Sequence, residues 1–165
     1  MKEYSFCPIC GTTLQIGMID GKERKYCPQC DFVDYKNPLP VALAIAIKGK
    51  DFLLIKRGIP PGKGKWASPA GFIESGETAE QACLRELKEE TGVSGEIVRL
   101  AGVVRHEDKE VYGDMLIVRY LVKVADEELI PGSEAEDVRF FSVAELPDYY
   151  LDLFKEVIEE VQNNI

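Results

Sequence analysis

Apolar positions along this chain come in short blocks with two different periods. Val41–Ile47 is an unbroken β-prone run, which suits a strand covered on both faces. Phe52–Lys56 follows a Gly-Lys-Asp turn and reads as its hairpin partner. Ile97–Arg105 and Met115–Val124 read as two further strands joined by a polar turn, and Val138–Ser142 as a short last one. Helical spacing appears twice. Leu151, Phe154, Val157, Ile158 and Val161 define a terminal amphipathic helix over 151–161. Ala79, Ala82, Cys83 and Leu87 define another, with Thr78 as N-cap, Gln81 three residues on to complete a capping box, and Gly92 to stop it. The spacing predicts that helix from about Ala79 to about Thr91 and a mixed α/β class for the body.

The first 36 residues do not share this pattern. They hold four of the five cysteines, as Cys7-Pro-Ile-Cys10 and Cys27-Pro-Gln-Cys30, separated by a polar, turn-rich segment of sixteen residues. Pro38 and Pro40 then break regular structure. The chain, 165 residues long, is one ordinary domain with room for a small module. We therefore expect units at 1–36 and 37–165. Two C-x-x-C knuckles offer four thiolates from turns whose amides point at the sulfurs, the pattern of a four-cysteine zinc ribbon. Redox chemistry and a pair of disulfides are the alternatives, and the lack of a leader sequence argues against disulfides. Four thiolates leave no open coordination position, so Zn2+ would be structural.

Charge narrows the range of partners. The net charge is −9, yet residues 1–36 carry five Lys/Arg against five Asp/Glu, so the body holds the whole deficit. An acidic body repels phosphate backbones and anionic lipid, and no nucleic acid or membrane is expected as a partner. A neutral ribbon without a basic stripe points the same way. A small phosphorylated substrate fits if a divalent cation offsets the repulsion. With no apolar leader and no run approaching the roughly 20 residues of a membrane span, a cytoplasmic location is expected.

The predicted helix 79–91 has its acids on an unexpected side. At about 100° per residue, with Ala79 at zero, Glu90 falls near 20°, Cys83 near 40°, Leu87 near 80° and Glu86 near 340°. Glu89 lies at the edge, near about 280°. Glu86 and Glu90 thus share the apolar arc, whereas a solvated acidic run would oppose it. Adjacent half-buried carboxylates need positive charge. On the wheel Arg85 reaches Glu89 but points away from Glu86 and Glu90. A hard divalent cation, Mg2+ or Mn2+, is the simplest compensator. An acidic helix held by salt links alone is the plainer alternative.

Gly71, Glu77, Arg85, Glu86, Leu87, Glu89, Glu90, Gly92 and Val93 match G-x5-E-x7-R-E-U-x-E-E-x-G-U at each fixed position, where U is a bulky aliphatic. On this stretch the chain resembles the Nudix hydrolases, and the cysteine module resembles that of their zinc-ribbon-bearing subgroups. The resemblance implies an α/β/α sandwich with a mixed sheet behind a small ribbon. It also implies Mg2+- or Mn2+-dependent hydrolysis of nucleoside diphosphates linked to another moiety, such as FAD, ADP-ribose or NADH.

Carried over residue by residue, the resemblance makes Glu86, Glu89 and Glu90 metal-binding acids, with Glu89 suited to a water-mediated ligand or general base. It makes the Ala70 carbonyl a further ligand and has Arg85 and Glu77 orient the acids. It calls for one more acid from a distant loop, here Glu134, with Glu136 and Asp137 as rivals. A homodimer is implied by resemblance alone.

Substrate contacts are less defined. Arg57 is a candidate phosphate-side cation, with Lys56, Lys63, Lys65, Arg105 and Arg119 also near the expected cleft. Trp66 and Tyr112 are candidates to stack on a base, as is Tyr35. Phe72 reads as packing, and the sole histidine, His106, as exposed rather than catalytic. Neither the S-Q-P-W-P-F-P element of the NADH subgroup nor the downstream proline of the ADP-ribose subgroup is present. A (deoxy)nucleoside triphosphate pyrophosphohydrolase and a non-catalytic nucleotide sensor remain alternatives. Intact Arg85, Glu86, Glu89 and Glu90 speak against the sensor.

Overall fold

A computed structural model describes residues 4–109 and 111–164. Met1–Glu3, Glu110 and Ile165, which fall within the two expected units, lie outside the described residues. Among the described residues, ten strands form two separate sheets. The N-terminal sheet has the order β1 (Gln15–Ile19), β2 (Lys22–Tyr26), β3 (Val33–Asp34). Its first hairpin turns on Asp20-Gly21, both at positive φ (51° and 73°), the dipeptide that matches a type I′ turn to strand twist. The polar, turn-rich pattern of this segment thus folds as a hairpin.

The second sheet has seven strands. They are β4 (Leu39–Lys48), β5 (Asp51–Arg57), β6 (Trp66–Ala67), β7 (Ala70–Phe72), β8 (Gly95–Asp108), β9 (Gly113–Val124) and β10 (Ala135–Phe141). The main path is β10-β5-β4-β9-β8, with β6 on β5 and β7 on β4. The pair β4·β9 is parallel and the other pairs are antiparallel, so the sheet is mixed. Pro40 does not end regular structure as expected. It lies second in β4, where a missing N–H is tolerated, and its carbonyl accepts from Ile73 N–H at 3.1 Å.

The alternation of β4 decides the layering. Ala42, Ala44 and Ala46 face one core with Leu53, Ile55, Tyr120 and Val122, closed by Ala82, Cys83 and Leu87 of α1 (Ala79–Thr91). Ile45 and Ile47 face the other with Phe52, Leu54 and Leu121, closed by Tyr150, Phe154, Ile158 and Val161 of α2 (Asp148–Asn164). One helix on each face makes the α/β/α sandwich. α2 begins three residues earlier than the apolar pattern did, directly after Pro147, and its φ/ψ leaves the helical region at Phe154 (−125°, 19°).

Candidate functional site

α1 forms as its sequence dictates. The Thr78 hydroxyl accepts from Gln81 N–H, the Gln81 side chain accepts from Thr78 N–H, and Gly92 closes the helix in the left-handed region (φ 77°). The side chain of Glu86 is 16 % exposed and that of Glu89 58 %, so the wheel ordered them correctly. One Glu90 oxygen (Oε2) accepts from the Ala70 N–H at 2.9 Å. Burial pushes the Glu90 carboxyl up to about 7, opposed by that hydrogen bond and reinforced by the charge of Glu86. Burial also raises Glu86, against the pull of Arg85.

Arg85 departs from the wheel. It curls over the helix start, forks onto Glu77 (2.7 and 3.1 Å), and also donates to Glu86 (2.7 Å), Glu89 (3.3 Å) and the Phe72 carbonyl (3.1 Å). The expectation that it points away from Glu86 is therefore corrected. A long side chain spans both faces of a helix once its head group finds acceptors on the neighbouring loop. Glu77 in turn accepts from Glu74 N–H at 2.8 Å, and the Arg85 hydrogen bond holds its carboxyl below the ordinary range.

These acids open into a cavity of about 720 Å3, within the range of small-ligand sites. Arg57, Trp66, Ala70, Arg85, Glu86, Glu89, Glu90, Tyr112 and Glu134 all line it, so the structure brings these candidates together; Glu77 stands behind Arg85, and Tyr35, Lys56 and Lys65 are not on the lining. Of the rival loop acids, Glu136 pairs with Lys56 (3.2 Å) and Asp137 accepts from Val138 N–H (2.8 Å), leaving Glu134 at the cavity. Lys63 approaches Glu136 (4.0 Å), Arg105 pairs with Asp114 and Arg119 donates to the Leu153 carbonyl, so none of these three lines the cavity.

The aromatic wall is richer than the sequence suggested. Phe72, read as packing, is 39 % exposed at the cavity and meets Tyr112 edge-on with centroids 5.2 Å apart. Trp66 reaches the wall, but the Arg139 guanidinium covers its ring at 4.6 Å and Phe141 abuts it at 4.7 Å. Tyr149, Tyr150 and Phe154 of α2 also line the cavity, as does His106. No local motif marks them. α2 delivers the three aromatics because it is tied to the segment 66–68, where the Tyr149 hydroxyl donates to the Trp66 carbonyl (2.7 Å) and the Tyr150 hydroxyl bonds Ser68 (2.9 Å), whereas His106 comes from β8.

The carboxylates suit a hard divalent cation. A Cβ on Gly71 would fall 2.0 Å from Glu86 Oε1, so the bare glycine is what lets that carboxylate lie against the strand beside Ala70. Desolvated acids with raised pKa and all-oxygen donors are the chemistry such an ion relieves. The acids have not converged, however. Among the described residues only the four cysteines bring ligand atoms within 4.8 Å of one another.

In that cluster the Sγ separations are 3.6 Å (Cys7–Cys30), 3.4 Å (Cys10–Cys27) and 3.8 Å (Cys10–Cys30). A tetrahedron with Zn–S bonds of about 2.3 Å has edges of about 3.8 Å, whereas a disulfide needs about 2.05 Å. The Ile9 and Gln29 amides each donate to a knuckle sulfur at 3.4 Å, as the sequence predicts. The hydroxyl and amide of Thr12 draw Cys10 down to about 6. This four-sulfur set fits a tetrahedral metal.

A family model described as NUDIX domain matches residues 38–161, and one described as Nudix N-terminal matches residues 5–36. The ADP-ribose pyrophosphatase of Methanocaldococcus jannaschii is 37 % identical over 118 residues, covering 72 % of this chain and 70 % of that protein. The NAD-capped RNA hydrolase NudC of Pseudomonas aeruginosa is 30 % identical over 145 residues, 86 % of this chain and 49 % of that protein, so the chain spans about half its length. Among solved structures, a NUDIX hydrolase from Nitrosomonas europaea superposes with a TM-score of 0.82 at 31 % identity, covering 98 % of this chain and 94 % of that one.

Proposed function

Because the chain belongs to the Nudix family, we propose that it hydrolyses a nucleoside diphosphate linked to another moiety and releases a nucleoside monophosphate. The observation that carries this reading is the pair of inward-facing carboxylates, Glu86 and Glu90, opening with Arg57 into a cavity walled by aromatic rings. ADP-ribose leads the substrate list, on the strength of the relative of that name; FAD and NADH belong to the same chemical class. The two units, 1–36 and 37–165, are supported by sheets that share no strand.

Glu86, Glu89, Glu90 and the Ala70 carbonyl would hold Mg2+ or Mn2+, with Glu134 added from the loop before β10 that lines the same cavity. When bound, the cation supplies neutralisation of the diphosphate and acidifies water. The protein's own residues do the rest. Arg57 lies near enough to Glu90 to lower its pKa, which suits it to hold a phosphate oxygen on the substrate. Tyr112 and Phe72 offer a stacking edge for a base, and Trp66, packed on Phe141 and Arg139, adds a further aromatic surface to the cavity. Glu89, the most exposed of the three acids, takes the proton from the attacking water, which adds to one phosphorus as the monophosphate leaves. Arg85 donates to both Glu86 and Glu89 and so orients them.

Four thiolates of the ribbon would hold one structural Zn2+. We further propose a homodimer and a cytoplasmic location, to be checked by light scattering and by fractionation. The body's negative charge supports a free nucleotide over RNA as substrate.

A Mg2+-dependent phosphate-release screen, with and without added phosphatase, tests the reading. Dinucleotide-type substrates yield phosphate only after the phosphatase, a triphosphate pyrophosphohydrolase releases pyrophosphate, and a sensor releases nothing. Glu90→Gln is expected to fold normally and lose most turnover; wild-type activity in that variant would refute the assignment.

A further inference from the structure

The loop that brings Glu134 to the cavity is held on both sides by backbone too close for a side chain. On one side, Gly132 lies against the last turn of α1. Its N–H donates to the Glu90 carbonyl (3.0 Å), and the Ile130 N–H donates to the Thr91 carbonyl (2.8 Å). Carbonyls in a final turn have no donor within the helix, so the loop serves as their cap. A Cβ on Gly132 would fall 2.3 Å from the Glu89 carbonyl oxygen and 3.0 Å from Glu90 Cα. Both are helix backbone and cannot swing aside. The φ of Gly132 is not in the left-handed region, so close approach alone demands glycine there.

On the other side, the Glu134 carbonyl accepts from the Gly58 N–H at 2.7 Å, and a Cβ on Gly58 would lie 3.0 Å from that oxygen. Gly58 follows Arg57 at the end of β5. Glu134 is therefore fixed between the helix that carries Glu89 and Glu90 and the strand that carries Arg57. Lys88 adds a further tie between helix and loop, reaching Glu127 at 2.8 Å.

We propose that Gly132 and Gly58 are positioning residues that set Glu134 against the acids of α1, making the loop acid a fixed member of the metal-binding group. This rests on reading Glu86, Glu90 and Glu134 as cation-binding acids. It predicts that adding one methyl group at either glycine acts through Glu134 alone.

The test measures Mn2+ binding to the full chain by paramagnetic resonance of the free ion, without substrate. Gly132→Ala is expected to weaken Mn2+ binding about tenfold or more, the usual effect of removing a support behind a ligand. Glu134→Gln is expected to do likewise, and the double variant to bind no more weakly than Glu134→Gln by itself. Wild-type affinity in Gly132→Ala, or losses that add in the double variant, would overturn the proposal. If Gly132→Ala does not fold, Gly58→Ala, whose clash is milder, is put through the same cycle and decides by the same criteria. Glu90→Gln separates the two levels. If it leaves Mn2+ binding intact, the cation reading fails and this inference with it. If it abolishes binding while the glycine variants bind normally, the inference alone fails.

Discussion

Arg85 answers to Glu77, Glu86, Glu89 and the Phe72 carbonyl at once, and a lysine could not. An ammonium lacks the planar fork that grips Glu77 through two nitrogens. In Arg85→Lys we expect the metal-free protein to lose about 1–3 kcal/mol of stability, because half-buried Glu86 is left under-paired, and urea titration would register it. Turnover should fall as well, since the acids lose their orientation. Gly71 makes a cleaner single-residue test. Its φ is unexceptional, so alanine adds no backbone strain, yet the new Cβ would collide with the Glu86 carboxylate. Gly71→Ala is expected to keep its circular dichroism and lose about 10–100-fold in Mn2+ affinity. An unchanged affinity would mean that Glu86 does not act from this position.

α1 and the β1–β2 hairpin differ in how far local sequence reveals them. The helix was legible to the residue because its start, stop and buried stripe are all written within 79–92, and the structure has it at Ala79–Thr91. Its capping box is testable by itself. Thr78→Ala should cost about 1 kcal/mol, read as a lower urea midpoint with an unchanged slope. In the hairpin only the turn is legible, at Asp20-Gly21, because the flanks Gln15–Ile19 and Lys22–Tyr26 carry no strict apolar alternation. β6 and β7 are illegible for a different reason. Two or three residues carry no periodicity, and these strands exist because β5 and β4 offer them partners. Pro40 shows the same dependence, since its place in β4 is tolerated by where it falls in the strand.

At the scale of the molecule, two cores on opposite faces of one sheet tie the site to the fold. Leu87 is fully buried in the α1 core, one residue past Glu86. Leu87→Ala is expected to destabilise by about 2–5 kcal/mol and to weaken Mn2+ binding in proportion to the disorder of α1, both measurable by thermal denaturation with and without the ion. The ribbon is a separate sheet, so its loss should be local. One zinc per chain is expected by atomic absorption. Cys27→Ser should lose that zinc while Mg2+-dependent turnover persists, and loss of turnover together with zinc would show that the ribbon supports the catalytic body.

The sequence by itself determined α1, its inward-facing acids, the two cysteine knuckles and the family. Each of these is a pattern of spacing within a few turns of chain, and helical period or ligand geometry reads it directly. Tertiary structure alone decided which loop acid lines their cavity, which rings wall it, and where the Arg85 head group goes. Glu134, Glu136 and Asp137 are chemically alike over four residues. They part only because β10 pairs with β5 through a register shift between Ala135 and Asp137, while Gly132 docks on a helix forty residues earlier. Contacts of that kind depend on the meeting of distant segments, whose positions follow from packing rather than from local spacing.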